Sequence, residues 1–222
     1  MTEQTKRSII ATALLTGAAV LVAPAVAPAD SPARVVRPGT SLGLCTITAA
    51  GHDAAGNAVA LTAGHCMFSP GQSVVAPGIG RIGHYASWTS KWALLQSDST
   101  SDWAVIALRP GLGISTVAPN GAVLDHFGAA PAPGSRIDKY GSTTRSTSGQ
   151  VDSVVDNVIH TSVPGLNGDS GSPAYQGTGL VGIDSQINPT TPAGPFWFSG
   201  IEGVLAEINS RPGIVGYGFR LG

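Results

Sequence analysis

The glycine-rich turn Leu166–Ala174, LNGDSGSPA, holds two serines, Ser170 and Ser172. A serine hydroxyl is a weak nucleophile at neutral pH. It attacks a carbonyl carbon only when a neighbouring base takes its proton and a third group orients that base. The chain offers five histidines as bases: His52, His65, His84, His126 and His160. His65 stands apart because LTAGHC delivers it at the end of an apolar strand, with Cys66 next to it to fix the turn. The orienting group must be a carboxylate buried against the imidazole. Asp102 opens SDWAVIAL directly before an apolar strand, where its side chain would sit at the edge of a core. An aspartate there is equally a solvated turn residue, and only the combination with His65 and Ser170 singles it out. The three run in the chain order His, Asp, Ser, one of the orders in which such triads occur. The α/β-hydrolase order is excluded, because it places the histidine last and none follows His160. The run GDSGS also fails the G-x-S-x-G elbow, with Ser172 at the final glycine.

The segments that must position these residues read as β-structure. Short apolar stretches recur between turn residues: CTITAA and AVALTA around GHDAAGN, then IGRIGHYA, WAVIAL, RIDKYG, VDSVVDNVIHTS and GLVGIDSQ. The Gly56-Asn57 pair suits a hairpin turn. None of these stretches keeps a 3.6-residue period over a helical length, so an all-β sandwich or barrel architecture is indicated. GISTVAPNGAVLDHFGAAPAPGS is poor in strand signals and reads as a connection between two halves. The exception is Ile201–Asn209, where Ile201, Val204, Leu205 and Ile208 fall on one helical face, with Ser199 as N-cap and Pro212-Gly213 beyond the end. Two β-barrel halves and one late helix are expected.

Composition narrows the function classes. Twelve Lys+Arg against thirteen Asp+Glu leave a net charge of −1, which argues against nucleic acid as a partner. With 42% hydrophobic and only 11% charged residues, the chain is not of the disordered class. Lys6 and Arg7, the apolar run SIIATALLTGAAVLV and the small residues of APAVAPAD read as an export signal over residues 1–29, cleaved after Ala29. The apolar run falls short of a membrane span, and no later segment approaches one. A secreted or cell-envelope location follows. In an oxidising compartment the two cysteines, Cys45 and Cys66, pair as one disulfide closing a loop of about twenty residues, worth roughly 3 kcal/mol. Without CxxC spacing they argue against a zinc site, and no metal or organic cofactor is implied.

LTAGHC, SDWAVIAL and NGDSGSP together resemble the trypsin/chymotrypsin-like serine proteases. TAGHC and KYGSTT at Lys139–Thr144 are similar to the short bacterial streptogrisin and α-lytic protease branch, and the likeness covers about residues 40–210. The resemblance implies two six-stranded antiparallel β-barrels, residues 41–120 and 121–222, after a lead-in over 30–40, in one peptidase domain. It implies a secreted serine endopeptidase acting on protein or peptide substrates as a monomer. Ser170 would be the nucleophile, His65 the general base, Asp102 its orienter, and the N–H groups of Gly168 and Ser170 the oxyanion hole. The glycine at 168 fits a backbone conformation that a Cβ would obstruct. Ser172, at a position where the family more often has glycine, would be structural. Pro164, Gly165 and Asn167 would line the substrate pocket opposite Ser185 and Gln186, with Ser185 donating to the Asp102 carboxylate.

The departures from the family are informative. Lys139 stands where the bacterial branch uses an arginine against the aspartate preceding the nucleophile, so a Lys139–Asp169 pair is expected. An ungapped alignment puts Pro164 where a trypsin-type enzyme has its basic-selecting aspartate, which favours small or medium uncharged residues before the scissile bond. Asp184 would reverse that preference if it pointed into the pocket. The pocket disulfides of the branch are missing, and the domain follows the signal almost at once, without the branch's long pro-region. These differences define the rival reading, a catalytically silent homologue acting as an exported binding module.

Overall fold

In a computed structural model, residues 34–89, 101–185 and 196–222 are described. The export signal, the first residues of the lead-in and Gln186 lie outside the described residues. Alternating small and β-branched residues, punctuated by glycines, build fifteen strands among the described residues, one 3-10 turn and one helix. The strands are β1 (Val35–Val36), β2 (Ala49–His52), β3 (Ala58–Thr62), β4 (Ser73–Ala76), β5 (Gly80–Trp88), β6 (Ala104–Leu108), β7 (Gly113–Ile114) and β8 (His126–Phe127). Then follow β9 (Arg136–Gly141), β10 (Arg145–Val155), β11 (Val158–Thr161), β12 (Pro173–Gln176), β13 (Gly179–Asp184), β14 (Phe196–Gly200) and β15 (Arg220–Leu221).

Six strands make the first sheet, antiparallel in the order β15-β2-β3-β6-β5-β4. The second runs β12-β9-β10-β11-β14-β13 and closes on itself where β12 pairs β13, giving a ring of six antiparallel strands. Closure removes the exposed edges that an open sheet would leave. The short β8 adds to β13 in parallel, a strand inside the segment read as connection. The all-β, chymotrypsin-like reading with two six-stranded antiparallel layers and a late helix agrees with this architecture. The halves interlock at their ends: β15, from the end of the chain, pairs with β2 in the first sheet, so the division at residue 120 is crossed. The lead-in is tied down from Val35 onward, because β1 pairs with β7 and Val36 is fully buried.

Helix α1 (Ile201–Asn209) has the bounds expected from its period and buries Ile201, Val204 and Ile208. Its N-cap is Gly200 rather than Ser199, whose residue is still in β14 and whose hydroxyl is used elsewhere. One apolar cluster joins first-sheet residues such as Leu61, Val105 and Ile106 to Leu180, Ile183, Val204 and Ile208 of the second half. At roughly 25 cal/mol per Å² of buried apolar surface, this shared core fixes the two halves to each other. Ala33–Gly222 accordingly forms one compact unit.

Candidate active site

Strand β3 runs out of the first sheet into the 3-10 turn Gly64–Cys66, which presents His65. Glycine is required before the histidine: a Cβ on Gly64 would lie 2.8 Å from Asp102 Oδ1 and 2.9 Å from the Trp103 carbonyl oxygen. That close approach brings the carboxylate in. Asp102 Oδ1 accepts the His65 backbone N–H at 2.9 Å, and Oδ2 lies 2.6 Å from His65 Nδ1. Asp102 is buried, and its own N–H donates to Ser199 Oγ at 3.0 Å. The next residue, Trp103, is fully buried and anchored by its Nε1–H to Glu207 of α1 at 2.9 Å. Helix, strand and carboxylate are therefore one rigid support.

Burial works against a charged imidazole at His65, but the Asp102 hydrogen bond and the negative charges of Asp102 and Asp184 outweigh it. The His65 pKa is raised above the ordinary 6.5. The Asp102 contact also fixes the neutral tautomer, with the proton on Nδ1 and the Nε2 lone pair facing the other way.

The serine-bearing turn is docked onto the first half by a row of buried threonines. Thr46 N–H donates to the Ser170 carbonyl at 2.7 Å, Thr46 Oγ1 to the Gly168 carbonyl at 2.8 Å, and Thr48 Oγ1 to the Gly171 carbonyl at 2.6 Å. Gly171 has φ +86, and a Cβ there would lie 2.3 Å from both the Thr46 carbonyl oxygen and Thr62 Oγ1. The turn thus sits directly against the segment that ends in His65. The Cys45–Cys66 disulfide closes the same corner: Cys66 Sγ is 3.9 Å from the Ser170 carbonyl oxygen, and both sulfurs lie within 4.8 Å of a His65 ring nitrogen. Bridged sulfurs offer no thiolate, so this cluster is a packing corner and not a metal site.

Gly168 takes φ +102, and its missing side chain leaves room for Thr143 Oγ1, 2.3 Å from where a Cβ would be. The turn uses its N–H groups unevenly. Asp169 donates to Leu166, Gly171 to Asp184 and Ser172 to Asp169, whereas those of Gly168 and Ser170 have no acceptor among the described residues. The Ser170 hydroxyl likewise has no hydrogen-bond partner among the described residues; such bonds commonly tighten only once substrate is bound. The two serines differ sharply. Ser172 is fully buried, its hydroxyl donating to the Asp169 carbonyl, while Ser170 is partly exposed beside His65.

Beneath the turn, Lys139 of β9 is fully buried, with Nζ 2.9 Å from Asp169 Oδ2. The expected pair is present. Asp169 also accepts the Thr143, Thr144 and Leu166 N–H groups and the Thr144 hydroxyl. Burial pushes its carboxyl upward, but Lys139 and these donors hold it below the usual 3.8. Asp184 is buried too, 3.5 Å from Lys139 Nζ, so it faces this cluster instead of selecting a basic side chain.

The pocket residues are mixed in exposure. Pro164 and Asn167 are exposed, with carbonyls accepting from Thr147 and Thr143, and Gly165 is buried. Ser185 is buried and bonds Ser199 Oγ at 2.8 Å and the Ile183 carbonyl at 3.0 Å. It reaches Asp102 through Ser199 and the backbone N–H, not by donating to the carboxylate. Ser199, Thr46 and Thr48 are functional supports that the sequence reading missed. Their only signal is polarity inside FWFSG and CTIT, which otherwise read as apolar strands.

No family model and no curated protein matches the chain. Solved structures do. A Cellulomonas bogoriensis chymotrypsin is 22% identical with a TM-score of 0.59, covering 78% of this chain and 95% of that one. A Nocardiopsis protease is 22% identical with a TM-score of 0.63, covering 78% and 96%. A scabies mite inactivated protease paralogue is 18% identical with a TM-score of 0.52, covering 74% and 88%. The fold is that of the bacterial chymotrypsin-like serine proteases, and it is shared with an inactivated paralogue.

Proposed function

We propose that the chain is a secreted serine endopeptidase using Ser170, His65 and Asp102. The observation that carries this reading is the buried 2.6 Å contact between His65 and Asp102 at the corner where the Ser170 turn docks. In the forward step Ser170 Oγ bonds to the peptide carbonyl carbon while His65 Nε2 takes its proton. The carbonyl π electrons move onto oxygen, where the two unpaired N–H groups of Gly168 and Ser170 receive the charge. The protonated His65 then gives its proton to the leaving amine as the C–N bond breaks, leaving an acyl-enzyme. Water repeats the sequence and releases Ser170. Donors placed where charge appears only in the transition state typically contribute about 3 kcal/mol each. Asp102 stabilises the imidazolium without accepting its proton.

The pocket reading is small or medium uncharged residues before the scissile bond, bounded by Pro164, Gly165 and Asn167 with Ser185 and Gln186 opposite. Pairing of Asp184 with Lys139 supports it, since a neutralised carboxylate is a poor anchor for a basic side chain. Residues 1–29 as an export signal and one disulfide support secretion.

One observation favours a silent homologue acting as a binding module: Ser170 lacks a hydrogen bond to His65, and the fold includes an inactivated paralogue. Reaction with a fluorophosphonate probe separates the two. Labelling is expected in the wild type and in Ser172→Ala, and is lost in Ser170→Ala. Labelling that survives Ser170→Ala overturns the nucleophile; none in the wild type favours the silent homologue. A cleavage profile dominated by Arg or Lys overturns the pocket reading.

A further inference from the structure

The buried charges below the nucleophile's turn do not balance. Lys139 is a single cation, fully buried in β9, and two buried carboxylates face it: Asp169 at 2.9 Å and Asp184 at 3.5 Å. Its third neighbour is neutral, Thr144 Oγ1 at 3.1 Å. An ammonium has three donors, so these three neighbours account for its capacity.

Asp169 does not depend on that cation alone. Three backbone N–H groups and one hydroxyl also donate to it, and a carboxylate accepting two or three backbone N–H groups stays ionised far into acid. Lys139 is therefore shared, and part of its charge serves Asp184. With both aspartates ionised, the cluster holds one negative charge in excess.

Asp184 is placed where such an excess is felt by His65. Its backbone brackets the turn: its N–H donates to the Ser172 carbonyl at 2.9 Å, and its carbonyl accepts from Gly171 N–H at 2.7 Å. Gly171 itself packs on Thr62 and Ala63, two and three residues before His65. The following residue, Ser185, joins Ser199 and through it the N–H of Asp102. Among the described residues, other titratable groups on neighbouring strands are turned away. Tyr175 of β12 bonds Asn120, and His126 of β8 lies at the opposite end of β13, against Gly179. The strand β14 carries no charged residue.

We propose that Asp184 is a positioning residue for the general base. It is a second buried, ionised carboxylate that shares Lys139 with Asp169 and leaves one net negative charge behind His65, where it stabilises the imidazolium together with Asp102. The direction of the His65 shift, to which the Asp184 charge contributes, accords with this. The neutral serine-to-imidazole proton transfer then creates its positive charge in a site already biased to accept it.

The inference rests on the triad reading, yet its test needs no turnover. His65 is titrated by NMR in the wild type and in Asp184→Asn. The expected result is a fall in the His65 midpoint of about half a unit to one unit, a three- to tenfold loss of proton affinity. An unchanged midpoint in folded Asp184→Asn overturns the proposal. The carboxyl carbon of Asp184, followed in the unmutated protein, gives a check that no folding defect can obscure: an ionised group at pH 7 is expected, and a protonated one overturns the proposal. If the protein fails to react with the fluorophosphonate while His65 responds as expected, the protease reading falls and the electrostatic inference stands.

Discussion

Replacing Lys139 by methionine keeps the length of the side chain and removes only the buried charge, so the consequences can be worked from the geometry. Breaking a buried ion pair by deleting one partner costs about 3–5 kcal/mol, because the remaining charge is left without compensation. Here two carboxylates are left, Asp169 and Asp184. Four neutral donors still hold Asp169, which places the estimate at the lower end, about 3 kcal/mol at pH 7. For a domain of this size that is a fall in Tm of roughly 6–12 °C. The pH dependence separates charge from packing. The Asp169 pKa is depressed in the folded protein, so its ionisation contributes stability that is present above 3.8 and lost as pH falls through the lower folded value. In Lys139→Met the carboxylates protonate more readily, so the gap between wild type and variant is full at neutral pH and narrows in acid. Thermal unfolding followed by circular dichroism between pH 3 and 7 measures both quantities. A melting temperature within about 2 °C of wild type at pH 7 would refute the buried-pair argument, and a gap that stays constant into acid would refute its electrostatic origin.

Two further outcomes follow from the site. Gly171→Ala forces a left-handed residue to carry a Cβ 2.3 Å from the Thr46 carbonyl oxygen and Thr62 Oγ1. The backbone strain is about 1–2 kcal/mol, and a turn displaced by about 1 Å loses on the order of a hundredfold in fluorophosphonate labelling rate. A labelling rate equal to wild type shows that the close approach does not matter. Because the His65 pKa is raised by Asp102 and Asp184 against its burial, kcat/KM is expected to rise with pH through a midpoint above 6.5. The stability from protonated His65 is present below 6.5 and lost as pH passes its folded value. A midpoint at or below 6.5 contradicts the charge arrangement at the base.

Much of the fold was legible in the sequence because its signals are local. The Gly56 turn between β2 and β3 and the 3.6-residue spacing of Ile201, Val204 and Ile208 act within a few residues. Strand β14 was missed because FWFSG has no clear alternation, and β15 because a two-residue strand has no period at all.

The chemistry divides in the same way. The residue types at 65, 102 and 170, their order along the chain and their glycine neighbours could be read from sequence, since a triad is limited by which side chains can do proton transfer. The difference between Ser170 and Ser172 in burial could not. It depends on threonines from residues 46 and 48, more than a hundred positions away, which dock the turn and leave one hydroxyl beside His65. The destination of Asp184 was equally undetermined, because a strand residue's neighbours are set by register and closure between strands. Only the closed ring of β9 to β14 places it beside Lys139, within the charge balance of the site and not in its pocket.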